Sequence, residues 1–249
     1  PEDVGSLLAV PIKRKTKILG VILLSTRAAA GRLIKDDLRF ISTLAHQASI
    51  AIENAQLYEE LQTNFADTIR ALVAAVEAKD TYTYGHSARV TRYAMMLAKA
   101  LEMDAPSLRQ LEYLALLHDI GKIGIDEKIL RKNERLNTEE WNIIQNHSAI
   151  GGSIIRPVRF LPKGDLVVRH HHERYNGTGY PDGLAGDEIP LFARVIAVAD
   201  AFDAMTTLRP YRETFKPPEA VQELLRCAGE QFDPKLVELF VQAYALEAN

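Results

Sequence analysis

Seven histidines occur in the chain, and six of them fall between His86 and His172. His118 and Asp119 sit side by side at the end of the apolar run LEYLALL and lead into IGKIGI. His86 follows Gly85 at the head of HSARVTRYAMMLA, His147 closes EEWNIIQNH, and His170, His171 and His172 are consecutive. Asp200 interrupts the apolar run ARVIAVADAFDAM. Singly, each has a plain reading: a residue near a helix cap, a cation at the negative end of a helix, a solvated helical face. Asp200 fits such readings least, because a buried carboxylate without a partner is costly. Together these residues describe metal chemistry. Imidazoles and carboxylates without a thiolate suit iron, manganese, zinc or nickel. About six ligands exceed the needs of one tetrahedral site and suit two metal ions with open positions. Asp119 is the natural bridge, since a carboxylate has two oxygens. Lys122 lies three residues beyond it, and Arg209 and Arg212 follow Asp200 by nine and twelve. Cations there would neutralise phosphate oxygens. A dimetal centre with such cations reads as a phosphohydrolase, in which the metals stabilise the attacking oxygen and the growing charge.

The bulk properties restrict the setting. The chain has 249 residues, 47% hydrophobic and 25% charged, with a formal net charge of -3. It is long for one domain and comfortable for two. This balance argues against broad binding to polymeric nucleic acid or to acidic lipid. The single cysteine, Cys227, excludes an internal disulfide and a Cys-based zinc site, and reads as a buried thiol. Its scarcity suits a reducing, cytoplasmic compartment. No apolar run approaches the ~20 residues of a membrane span, and no signal peptide opens the chain. The first residue is Pro1, not Met, so the sequence is expected to be a fragment.

The elements that must carry these residues are mostly helical. Residues 7–12 (LLAVPI) and 18–25 (ILGVILLS) read as two strands joined by a hairpin loop over Lys13–Lys17. Two strands alone are marginal, and the rest of that sheet is expected upstream of Pro1. From Asp36 the period changes: Ile41, Leu44, Ala48, Ala51, Ala55, Tyr58, Phe65, Ile69 and Leu72 form a heptad seam with Gln62 its one polar member. With no Gly or Pro before Asp80, this predicts one long helix, and the seam favours a parallel dimeric coiled coil over a helix packed only on its own domain. Asp104 opens a helix that runs to His118, Thr138 opens one that His147 ends, and Gly151, Gly152 and Pro157 read as breaks. Asn176–Gly186 reads as an irregular loop, and Ile189–Met205 as helix again. His46, on the long helix, stands apart from the cluster.

Residues from about Phe65 onward resemble the HD-GYP subgroup of the HD phosphohydrolase superfamily. The matching stretches are GHSARV, LLHDIGKIGI, EEWNIIQNH, HHERYNGTGYPDGLAGDEIP, ARVIAVADAFDAMTTLRPYR and GEQFDP. The resemblance implies an all-helical domain and hydrolysis of cyclic di-GMP to the linear dinucleotide or GMP. It implies that His86, His118, Asp119 and Asp200 hold one metal. Asp119 then bridges to a second, held also by His147, His171 and His172. It assigns Lys122, Arg209 and Arg212 to ligand phosphates, and gives Gly179-Tyr180-Pro181 to a loop that shapes the site, with Tyr180 at the substrate, and that contacts partner domains of the GGDEF or other signalling type. His170 has no fixed counterpart. Some members carry a glutamate four residues before the first histidine and bind a third metal; Tyr82 stands there, so two metals are expected, iron or manganese first, with zinc and nickel also suited. Asn176 stands before Gly177, where an aspartate is common. Residues 1 to about 60 resemble the C-terminal part of a GAF domain through VPI, ILGVILL and LAHQASIAIENAQLYEEL.

The expected fold is therefore mainly α: an all-helical HD-type domain over 61–249, preceded by a truncated α+β, GAF-like segment over 1–60 that includes the start of a long connecting helix. The expected function is a metal-dependent cyclic di-GMP phosphodiesterase in bacterial second-messenger signalling, a homodimer through helix 36–75 under the control of its N-terminal sensor. Two rivals stand beside it: a phosphohydrolase of the same superfamily acting on another nucleotide, and a catalytically silent interaction module. The latter is disfavoured because every ligand position is filled.

Overall fold

The computed structural model describes residues 4–27, 29, 31–80, 85–132, 134–207 and 214–247. They form two compact units, Pro1–Ala66 and Asp67–Asn249.

The first unit is a hairpin covered by a helix. Strands β1 (Val4–Arg14) and β2 (Lys17–Arg27) pair antiparallel, with Val10 opposite Ile22 and Leu8 opposite Leu24. The two-residue alternation of strands places Leu8, Val10, Ile12, Ile22 and Leu24 on one face, where they pack on Ile41 and Ala45 of helix α1 (Lys35–Lys79). The strands are longer than their apolar runs. Lys13, Arg14 and Lys17 continue the ladder, and Lys15 turns the chain with φ 49°. The Ser49 hydroxyl donates to the Lys13 carbonyl at 2.6 Å, and Arg14 meets Glu53 at 2.8 Å.

Helix α1 runs 45 residues without a break, as the seam predicts. The seam is divided in use. Ile41 joins the hairpin core and Ile69 is buried, whereas Leu44, Tyr58 and Leu72 are exposed.

The second unit is helical. After the end of α1 come α2 (His86–Ala100), α3 (Ala105–Leu117), a 3-10 segment Ile120–Gly124, α4 (Glu127–Leu130), α5 (Thr138–Gln145), α6 (His147–Ile155), α7 (Gly164–Arg169), α8 (Leu191–Thr206), α9 (Pro217–Arg226) and α10 (Pro234–Glu247). Tyr93, Phe202, Phe240 and Tyr244 knit α2, α8 and α10, with Tyr93 edge-on to Phe202 at 4.9 Å between ring centres. Asp104 caps α3 by accepting from the Ser107 amide, and Asn137 with Glu140 forms a capping box on α5.

Two sequence expectations need correction. His147 does not end the helix opened at Thr138: α5 stops at Gln145, and His147 is the first residue of α6. Asn146 stays right-handed (φ -67°), so the chain passes directly from one helix into the next. Gly151 and Gly152 are not breaks either, but lie inside α6. They are small because neighbours press close: a Cβ on Gly151 would lie 2.7 Å from Val168 Cγ1 on α7, and one on Gly152 would lie 2.9 Å from the Asp165 carbonyl. On the opposite side, a Cβ on Gly121 would collide with the carbonyl oxygen of His147. The glycines let the 3-10 segment and α7 both close on α6, which gathers Asp119, His147 and His171. Among the described residues, no helix is long and apolar enough to cross a membrane.

Candidate metal centre

Each candidate ligand is delivered by a helix end or a helix face. His86 is the first residue of α2, after Gly85 with φ 70°. His118 is the C-terminal cap of α3 and Asp119 precedes the 3-10 segment. His147 starts α6, while His171 and His172 follow α7 in the turn that opens the loop to α8. Asp200 projects from the middle of α8.

Three of the imidazoles are oriented by one device. The Nδ1 of His118 faces the Ala115 carbonyl at 2.7 Å, that of His147 the Ile144 carbonyl at 2.6 Å, and that of His171 the Val168 carbonyl at 2.6 Å. A carbonyl only accepts, so each Nδ1 carries the proton and each Nε2 turns a lone pair inward. The Nε2 atoms of His147 and His171 lie 3.4 Å apart, and the buried Nε2 of His118 has no hydrogen-bond partner among the described residues. Facing lone pairs and an orphaned buried nitrogen fit a bound cation.

Asp119 divides its oxygens between two groups. Oδ1 lies 3.3 Å from His147 Nε2 and 3.9 Å from His171 Nε2. Oδ2 lies 3.5 Å from His118 Nε2 and 3.9 Å from His86 Nε2. Accordingly Asp119, His147, His171 and His172 form one cluster able to hold a metal, and His86, His118 and Asp119 form another. Asp200 adds an oxygen 3.2 Å from His86 Nε2.

The electrostatics follow from this crowding. Burial would lower the pKa of His86, but hydrogen bonds to Asp200 and Asp203 override it and push the group up to about 9. Burial would raise Asp119, yet the Lys122 charge and the neighbouring histidines hold it well below the usual carboxylate range. Burial and adjacent imidazoles lower His171 well below its ordinary value and bring His172 down to about 3. Those two rings are neutral, the form a metal requires.

Asp203 escaped the sequence reading. Its Oδ2 accepts from His86 Nδ1 at 2.7 Å, and Arg89 Nε donates to its Oδ1 at 2.6 Å. It therefore does for His86 what backbone carbonyls do for the other three. Its place three residues from Asp200 on one face of α8 can be read in the sequence, but that spacing does not by itself mark a carboxylate that orients a histidine. Lys122 turns inward: its Nζ lies 2.9 Å from Asp119 Oδ2 and 3.0 Å from Asp80 Oδ2. Arg209, Arg212 and Tyr82 lie outside the described residues. Cys227 is buried, and burial beside Glu223 raises its thiol pKa, which favours the neutral form.

A cavity of about 490 Å³ is lined by His171, His172 and Asp200 of the candidate centre together with Tyr180, Cys227 and Phe232. The Tyr180 ring lies 4.9 Å from that of His172.

The profile of the HD domain family matches residues 70–236, and that of the GAF domain family matches residues 1–54. The chain is 35% identical over 223 residues to the cyclic di-GMP phosphodiesterase response regulator RpfG of Xanthomonas campestris pv. campestris, covering 88% of this chain and 58% of that protein. It is 36% identical to the cyclic di-GMP phosphodiesterase PA4108 of Pseudomonas aeruginosa (80% of this chain, 49% of that one). To the 3'3'-cGAMP-specific phosphodiesterase 2 of Vibrio cholerae it is 32% identical (83% and 40%). The chain thus spans roughly half the length of these curated relatives. Among solved structures, the cyclic GMP-AMP specific phosphodiesterase V-cGAP3 of V. cholerae shares the fold with a TM-score of 0.56 at 24% identity, over 72% of this chain and 48% of that one.

Proposed function

The chain belongs to the HD domain family, in its HD-GYP branch, and on that premise we propose that it is a dimetal phosphodiesterase that hydrolyses cyclic di-GMP to the linear dinucleotide or GMP. The observation that carries the reading is the sharing of Asp119 between two clusters whose histidines already present Nε2 inward. In this assignment His86, His118, Asp119 and Asp200 hold one divalent ion, and Asp119, His147, His171 and His172 hold the other, iron or manganese before zinc or nickel. Two such ions, when bound, would supply Lewis-acid stabilisation to the attacking and leaving oxygens of an in-line displacement at phosphorus. The protein's own part is to fix the ligands and to keep His171 and His172 unprotonated. Asp203 orients His86. Lys122, beside the bridge, offers its ammonium to a substrate phosphate and shares that work with Arg209 and Arg212, while Tyr180 covers the substrate.

Anaerobically purified protein is expected to carry two metals per chain and to turn over cyclic di-GMP. Fewer than two metals, or no turnover, would count against the reading. The cyclic GMP-AMP relatives support a second reading with the same chemistry and another base, so 3'3'-cGAMP belongs in the same assay. Faster turnover of cGAMP would favour that reading.

The exposed seam residues Leu44, Tyr58 and Leu72 support a homodimer along α1, and the family resemblance suggests GGDEF-type or other signalling domains as partners of the Tyr180 loop. Control by the GAF-like segment then passes through the C-terminal end of α1. There Glu77 accepts from the Gly85 and Ser87 amides at 2.9 and 3.1 Å, and Lys79 donates to the Ile123 carbonyl at 2.7 Å. Deleting residues 1–60 should alter both oligomeric state and rate. If both are unchanged, control through α1 is ruled out.

A further inference from the structure

The run Arg169-His170-His171-His172-Glu173 contains two metal-facing imidazoles, and its other three side chains all turn to the loop that carries Tyr180. Arg169 donates from both Nε and a terminal nitrogen to the two oxygens of Asp182, each at 2.7 Å. His170 Nε2 meets the same carboxylate at 2.8 Å. Glu173 Oε1 accepts from the backbone amides of Asp182 and Gly183 at 2.8 and 3.0 Å. On the near side of the loop, the Tyr180 amide reaches the His172 carbonyl at 3.4 Å. A Cβ on Gly179 would collide with the backbone of Glu173 and Arg174, so the loop lies directly on the ligand-bearing segment.

We infer that Arg169, His170, Glu173 and Asp182 are positioning residues, a clamp that holds the Tyr180 loop over the metal centre and thereby sets substrate affinity. His170 and Glu173 are both buried, so the clamp is built into the fold rather than a chance surface pair. A bidentate guanidinium–carboxylate pair also fixes direction, which a single ion contact does not. The clamp acts on the loop and not on the metals, because His147 and His171 take their orientation from the Ile144 and Val168 carbonyls. It gives His170 a purpose: its imidazole is spent on the loop while its two neighbours are spent on the centre. The inference rests on the phosphodiesterase reading for its substrate, but the clamp itself does not.

The test uses Asp182→Asn in the full chain, with Asp67→Asn as a control at the exposed Arg70 pair. Loss of a charge-assisted, partly exposed pair predicts a KM for cyclic di-GMP raised roughly tenfold, with kcat within about threefold. Metals per chain should be unchanged, and hydrogen exchange at the amides of Thr178, Gly179, Tyr180, Asp182 and Gly183 should quicken. Glu173→Gln, which keeps an acceptor oxygen, should be milder than Glu173→Ala in both KM and exchange. Unchanged KM and exchange in Asp182→Asn would overturn the clamp. So would loss of metal in step with activity, since that places the residues under the ligands instead. If the wild-type protein hydrolyses no cyclic dinucleotide, the functional reading fails and the exchange measurement still decides the clamp.

Discussion

Asp119 is the residue on which the centre turns, because its two oxygens serve different sets of imidazoles. Asp119→Ala should abolish turnover and lower the metal content, as measured by elemental analysis. Lys122→Ala should keep both metals while substrate handling falls; loss of metal would mean that Lys122 is needed to hold Asp119 rather than to meet phosphate. Asp203→Asn is a subtler change. It keeps the shape but weakens the contact that orients His86. Loss of such an outer partner is expected to cost about 10–100-fold in metal affinity. Titration of metal-stripped protein would measure it, and wild-type affinity in the variant would remove Asp203 from the site. The candidate ligands were legible in sequence as a group because imidazoles and carboxylates in apolar runs are chemically conspicuous, and the structure brings them together. Asp203 was not, because a carboxylate that serves a ligand looks no different from one that pairs with a surface cation. The same ambiguity hid His170, whose work is visible only when Asp182 is brought beside it by the loop.

Elements place those residues to within a fraction of a side chain, and the sequence was uneven in foretelling them. Periodicity and the lack of Gly or Pro exposed α1, the Asp104 cap exposed the start of α3, and the acidic first turn after Thr138 exposed that of α5, because these signals are local. The division between α5 and α6 was not exposed, since Asn146 keeps helical dihedrals and no Gly or Pro marks the junction. Gly151 and Gly152 misled for the opposite reason: their smallness answers α7 packed against them, not a turn. Gly121 has the sharpest requirement, and its prediction belongs at this scale. A methyl group there must push the 3-10 segment off α6 and draw Asp119 away from His147. Overpacking of this kind costs about 1–3 kcal/mol or more. For a domain of this size that corresponds to a fall in Tm of roughly 2–12 °C. Gly121→Ala should therefore lower Tm and lose metal together; a variant that binds metal normally would show that the close approach is dispensable.

At the scale of the whole molecule, the crowded histidines and carboxylates should make folding sensitive to pH, and to metal if the centre holds it. In the metal-free protein His86 holds its proton up to about 9, against an ordinary value of 6.5. Between those values the folded state binds more protons than the unfolded one, so stability falls as pH rises through this window. His172, lowered to about 3, has the reverse sign: between 3 and 6.5 the unfolded state gains the proton, and stability falls as pH drops. His171 is displaced in the same direction and adds to the acid side. Calorimetry of chelator-treated protein should accordingly give a Tm that is highest near neutral pH and declines on both flanks. A divalent cation held at this site would replace the proton on His86 and favour the folded state, so its addition should raise Tm and flatten the alkaline decline. A metal-free Tm that climbs steadily from pH 6.5 to 9 would mean that the carboxylates of Asp200 and Asp203 do not hold His86 protonated, and with it the electrostatic account of the centre would fall.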